Sequence, residues 1–335
     1  MNNMKKIGLS ALAGSMALTS ANAVDYGMSG GATIAFSSVD APASAESING
    51  KGLGVATDLT FSASGELDNG YTVSFVQVID TNGALSNTSS QVAIGMGSLG
   101  SLHVNNKFGA KANGIDDVMP AAYNETWDGL ALTTDNPSFF GSSTASGSVD
   151  YRIPAQEMMG LTINAAVTLD SAADVGPASK GGVTTTAVSG SAMVVQIAHE
   201  SGLEIGAGEE TVDNGGTAGG DETNVTAYAK YSMGPVSVGI QEAYQDAGNG
   251  GQDNEADFWG VSYTAGNVSV SYGESSLSSH AIATTAAVER ELESVQISYT
   301  AGAMTIQAAM AETANAGGIA GNTYEENEIA VSFAF

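Results

Sequence analysis

The chain has no cysteine and 6 prolines, and only 13% of its residues are charged. The first absence excludes disulfides, thiolate catalysis and Cys-ligated metal or haem, and leaves His103, His199 and His280 as the only imidazoles. The scarcity of charge is unlike a soluble domain, in which about 25% of residues are charged. Yet no apolar run approaches the ~20 residues a membrane-spanning helix needs. Bases are scarcer still, with 9 Lys and Arg against 36 Asp and Glu and a formal net charge of -27. That balance argues against nucleic acid or an anionic membrane surface as a partner and favours cations.

Catalytic and cofactor signatures are missing too. Gly95-x-Gly97-x-x-Gly100 spells a dinucleotide fingerprint, but strand pattern rather than helix follows it and the turn is short. None of the three His residues has a partner at metal-ligand spacing. The chain reads as a non-enzyme.

At the start, Lys5 and Lys6 precede an apolar run from Ile7 to Leu18, and Ala21-Asn22-Ala23 supplies a small-x-small cleavage pattern. An export signal over residues 1–23 is expected, cleaved after Ala23.

What fills the rest is two-residue alternation. Tyr26, Met28, Ala32, Ile34 and Phe36 share one face of a first strand, and Leu53, Val55, Leu59 and Phe61 one face of a second. Later strands set Val295, Ile297 and Tyr299 against Gln296 and Ser298, and Met304, Ile306, Ala308 and Met310 against Thr305 and Gln307. The polar face is Ser, Thr, Gln and Gly, where a water-exposed sandwich face would carry many Lys and Glu. Connections alternate long and short, and about sixteen strands fit between them. This predicts an all-β, antiparallel transmembrane barrel over residues 24–335, with a lipid-facing wall and a wet lumen. Tyr26, Tyr71, Tyr151, Tyr231, Tyr263, Tyr299 and Phe335, each on the apolar face near a short turn or chain end, suit an interfacial girdle.

Residues 108–147 break the alternation. A connection this long is functional or disordered. Its acids, Asp116, Asp117, Glu125, Asp128 and Asp135, would select cations at a pore constriction or simply hydrate an outer loop. By phase His103, Lys107, Arg152, Lys230 and Arg290 fall on the lumen face, as a basic wall or as counter-charges to acids such as Asp58, Asp150 and Asp170. Lys51, Lys111 and Lys180 fall at loop or rim positions. Gly- and Asp-rich loops carrying Asp213, Asp221, Asp253 and Asp257 would suit weak calcium binding, or be ordinary hydrated loops.

The last strand ends with Ile329, Val331, Phe333 and terminal Phe335 on one face. This resembles the C-terminal signature by which outer-membrane barrels are recognised for insertion. With the signal segment, the strand number and the long third external loop, the whole chain resembles a Gram-negative general-diffusion porin, nearest the alphaproteobacterial type. The resemblance implies a homotrimer in the outer membrane among lipid and lipopolysaccharide, inserted by the barrel assembly machinery, with the 108–147 loop folded inward. The Pro-Glu-Phe-Gly loop tip of the enterobacterial members is absent. Two other readings are a substrate-selective channel for cationic or zwitterionic solutes, and a secreted calcium-binding β-roll or adhesin, whose nine-residue repeat is not found.

Overall fold

The computed structural model describes residues 25–41, 50–80, 86–106, 108–128, 136–138, 140–141, 146–170, 189–213, 220–248, 251–280 and 288–335. The expected export signal, residues 1–23, lies outside the described residues, as do Lys107, Asp135 and Lys180.

The β segments are β1 (Asp25–Asp40), β2 (Gly50–Glu66), β3 (Thr72–Asp80), β4 (Ser86–Gly95), β5 (Ser101–Asn106), β6 (Ser146–Arg152), β7 (Gln156–Met158), β8 (Leu161–Asp170) and β9 (Ser189–His199). They continue with β10 (Leu203–Asp213), β11 (Glu222–Met233), β12 (Val236–Asp246), β13 (Asp253–Ala265), β14 (Val268–His280), β15 (Arg290–Ala301), β16 (Met304–Ala314) and β17 (Thr323–Ala334). All belong to one sheet. Sequence neighbours pair antiparallel, and β17 returns to β1 with Ile329 opposite Phe36, so the sheet closes on itself.

β6 and β7 both pair with β8, Arg152 opposite Ala166 and Gln156 opposite Ile163. They are one strand interrupted at Pro154, which has no N–H to give the ladder. The Ile153 N–H still reaches the Ala165 carbonyl at 3.1 Å. The barrel therefore has sixteen strands, as the connection pattern predicts.

The two faces are unequal. On β15, Val295, Ile297 and Tyr299 are 53%, 48% and 43% exposed, while Ser294, Gln296 and Ser298 between them are 3%, 4% and 9% exposed. The apolar residues face out and the polar ones face in, the arrangement of a barrel in lipid. Ile329, Val331, Phe333 and Phe335 lie on the outer face, and Phe335 is tied to Gly30 by backbone bonds of 2.9 and 3.2 Å. The girdle residues are exposed as expected, except that Tyr71 is half-buried in the β2–β3 turn.

Some strands run further than the sequence suggests. β14 continues through Ser276–His280, and β13 begins at Asp253, expected in a loop, which pairs with His280. Serine on both faces of β14 hides the alternation, and the β13–β14 ladder carries the added residues. The Gly27-x-Ser29-x-Gly31 spelling of a nucleophile elbow lies inside β1, paired with residues 58–62, and no strand-to-helix turn is there.

Candidate functional site

From Ala112 to Gly141, the described residues of the 108–141 segment rest mainly on the inner face of β9–β17. Apolar contacts seat its two ends. Ala112, Ile115 and Phe140 pack with Ala192, Val194 and Tyr228, and Trp127 packs both against Phe258 and Leu277 and against Leu292 and Tyr324. Burying each large side chain stabilises the seat by about 1.5–3 kcal/mol.

Between those ends the segment has no regular structure, so its backbone needs other partners. Two wall glutamines supply them. Gln241 on β12 donates through Nε2 to the carbonyls of Ile115 and Asp116, both at 2.9 Å, and accepts the Val118 N–H at 3.0 Å. Gln296 on β15 accepts the N–H groups of Tyr123 and Asn124 at 2.8 and 3.1 Å and returns a bond to the Asn124 carbonyl at 2.8 Å. Ser271 accepts the Ala122 N–H and Glu210 the Gly141 N–H, each at 2.8 Å. The Tyr123 hydroxyl donates to Glu328 of β17.

The wall makes room for the segment with a row of glycines. Gly239, Gly260 and Gly273 are direct cross-strand neighbours on β12, β13 and β14. A Cβ at Gly239 would lie 3.0 Å from Pro120, at Gly260 3.2 Å from Met119, and at Gly273 would clash with the Thr126 hydroxyl. Glycine within a strand gives up packing and stiffness, and close approach of another backbone is a reason to keep it. These glycines and the two glutamines were not singled out from the sequence. The available signal was isolated Gly inside strand pattern.

Asp116, Asp117, Glu125 and Asp128 come together on this segment, and the charges that act on them are chiefly one another's and that of Glu328. Burial, reinforced by Asp116, Asp117 and Asp128, pushes Glu125 up to about 8. Burial also raises Asp117 to about 6, with Asp116 and Asp128 adding to it and the Met119 N–H opposing it. Asp116 and Asp128 are raised as well, again mainly by burial.

The bases gather elsewhere. His103 on β5 faces in and lies opposite Asp150. Arg152 bonds Asp150 at 2.6 Å, and Asp150 also accepts the Lys111 N–H at 3.1 Å and the Thr168 hydroxyl at 3.0 Å. Lys111, expected at a loop or rim position, lies on the segment and joins this cluster. Burial lowers its pKa, and the neighbouring Arg152 lowers it further. Which wall it meets is set by the fold of the segment and not by chain position. Lys230 faces in and pairs with Glu204 at 3.6 Å. Arg290 also faces in but is 8% exposed, beneath Gly318 and bonded to Ser279, and so lines no open surface.

The calcium candidates do not form a cage. Asp213 accepts the Ser189 hydroxyl, and Asp253 accepts the Tyr244 hydroxyl and the Ala247 N–H. Asp253 and Asp257 lie on β13 rather than in a loop, and Asp221 immediately precedes β11. Among the described residues, no three metal-ligating side chains converge.

A family model described as Gram-negative porin matches residues 8–300. No curated protein matches the chain. Among solved structures, OmpT of Vibrio cholerae in its trimer form superposes with a TM-score of 0.66 at 14% identity, covering 94% of this chain and 100% of that one. An anion-selective porin from Comamonas acidovorans gives 0.60 at 14% identity, covering 93% and 100%. A variant of the Rh. blastica porin gives 0.58 at 13% identity, covering 93% and 100%. At such identities the likeness is one of fold.

Proposed function

The chain belongs to the Gram-negative porin family and is an outer-membrane β-barrel; from that premise we propose that it passes small hydrophilic solutes by diffusion, with a preference for cations. The seated 108–141 segment narrows the bore, leaving a passage beside the partly exposed inner face of β1–β3.

The observation that carries this reading is the separation of charge. Four segment acids stand together without a salt bridge to any described base, whereas Arg152 and Lys230 are each matched by a wall acid. The unmatched sign at the constriction is therefore negative. A carboxylate ~4 Å from a passing cation is worth about 1 kcal/mol even in water, a roughly fivefold preference. Screening acts over about 8 Å, so acids within a narrow bore are felt and those on outer loops much less. The Comamonas protein is anion-selective on a similar barrel, so the sign follows from the side chains and not from the fold.

The test is the zero-current potential of single channels in a salt gradient. D116N/D117N should move it toward anions. An unchanged potential would remove these residues from the constriction. We take the assembly to be a homotrimer, for which the trimer form of OmpT is the supporting parallel.

A further inference from the structure

The outer face of β13–β17 holds a feature that passive diffusion does not use. Toward the long-loop end, carboxylates stand directly opposite one another from strand to strand: Glu274 faces Glu293, Glu293 faces Glu312, Glu312 faces Glu325, and Glu325 faces Asp40 of β1. Like charges in direct cross-strand register repel. The only Lys or Arg on β13–β17 is Arg290, which faces in, and His280 already lies beside Glu255 at 3.3 Å. The row thus has no counter-charge on its own face of these strands.

Beneath it, Val261, Tyr263, Val270, Val295, Ile297 and Met310 line an apolar groove of about 630 Å³. Above, Asp257, Glu274, Glu291, Glu293 and Glu312 line an acidic hollow of about 350 Å³. The two are continuous, because Glu293, Glu312, Val295 and Met310 share a depression between them. Trp259 and Tyr272 mark the boundary, their rings 5.4 Å apart. The indole N–H donates to Glu274 at 2.8 Å, and the Tyr272 hydroxyl donates to Glu274 and Glu293. Rings with their polar ends turned to the acids are what a headgroup boundary selects.

We propose that this groove holds one amphiphile of the outer leaflet, its chain along Val295 and Met310 and a positively charged head group against Glu293 and Glu312. The apolar half calls for a chain, which a free cation lacks, and the acidic half repels an anionic head group. An anionic lipid bridged by a divalent ion is the competing occupant, and chelation by EDTA distinguishes it. The groove faces lipid only if the barrel sits in the membrane as described above, and the test separates the two claims.

Trp259 is the reporter, since the chain has 2 Trp and the other, Trp127, is on the inner side. A W127F variant is reconstituted in phosphatidylcholine vesicles containing, as a minor component, a dibrominated lipid with a trimethylammonium, a phosphocholine or a phosphoglycerol head. Quenching by the cationic lipid should exceed that by the anionic one about fivefold at equal mole fraction, the ratio for one carboxylate contact. E293Q/E312Q should level the three. Equal quenching by all three, or stronger anionic quenching that EDTA abolishes, overturns the proposal. No quenching by any brominated lipid would mean this face does not meet lipid, which overturns the membrane placement as well. Should W127F not insert, the unsubstituted chain in detergent is examined by native mass spectrometry for retained dodecyltrimethylammonium against dodecyl sulfate. Retention lost in E293Q/E312Q supports the site, and equal retention of both overturns it.

Discussion

The inner face of β1–β3 and the inner face of β9–β15 follow the same two-residue period, yet they do different work. On the first, Thr33, Ala35, Thr60, Ser62 and Val76 stay partly exposed. On the second, Val194, Gln241, Phe258, Ser275 and Gln296 are buried beneath the seated segment. The difference lies in what rests on the wall rather than in the wall's period. A covered wall needs space and bonding partners for a second backbone; an open wall needs only to be wet. The glycine row and the two glutamines are on the covered half.

Opposite responses to added bulk should break this comparison most sharply. G239L/G260L places side chains where Met119 and Pro120 lie, at a packing cost of about 1–3 kcal/mol per site. The segment should lift and single-channel conductance rise. T60F, on the open half, should lower conductance with the segment in place. If both variants lower conductance, the segment does not rest on the glycine row.

The glutamines come next. Q241L strands the Val118 N–H and two carbonyls, and Q296L strands the N–H groups of Tyr123 and Asn124. Each buried group left without a partner costs about 1–3 kcal/mol. Both variants should hasten protease cleavage between residues 110 and 128 and raise open-channel noise. S62V on the open half should change stability by no more than about 0.5 kcal/mol and leave cleavage unchanged.

Acidity is the third lever, and it acts on the covered side. Asp117 at about 6 and Glu125 at about 8 hold protons that ordinary carboxyls, near 3.8 and 4.5, would have released. Raising the pH from 6 to 8 therefore adds negative charge to the segment, and cation preference measured by zero-current potential should grow across that window. E125Q should flatten its upper part. The folded segment binds these protons more tightly than the unfolded chain does, so it gains stability at low pH and loses it as pH rises toward 8. Heat unfolding in detergent at pH 5 and pH 8 checks the sign, with the lower midpoint expected at pH 8.

Much of the barrel was legible because period-2 alternation carries its own geometry. Val295, Ile297 and Tyr299 face out because alternate residues of a strand point to the same side. The sites of Asp116, Asp117, Glu125 and Asp128 were legible only as a cluster, since nothing in an aperiodic segment says which wall it touches. Lys111 shows the limit: three-dimensional folding, not chain position, puts it beside Asp150. The outer acids were invisible for a related reason. Glu274, Glu293, Glu312 and Glu325 are far apart in the chain, and only strand register lines them up. Trp259 and Tyr272, a second aromatic level, were hidden the same way.

The smallest effect should come from Lys230, and its smallness is informative. Its pair with Glu204 is 3.6 Å long, with the two side chains 28% and 31% exposed. Such pairs contribute about 0–1 kcal/mol, so K230Q should move the unfolding midpoint little. Its effect on selectivity should still have a definite sign, because it frees the Glu204 carboxylate and adds one unmatched acid. Zero-current potential should shift slightly further toward cations, and K230Q/E204Q should restore it. A shift as large as that of D116N/D117N would place Lys230 at the narrowest point. The basic side would then govern permeation alongside the segment acids, and the contrast between the two walls would have to be drawn by charge instead of by cover.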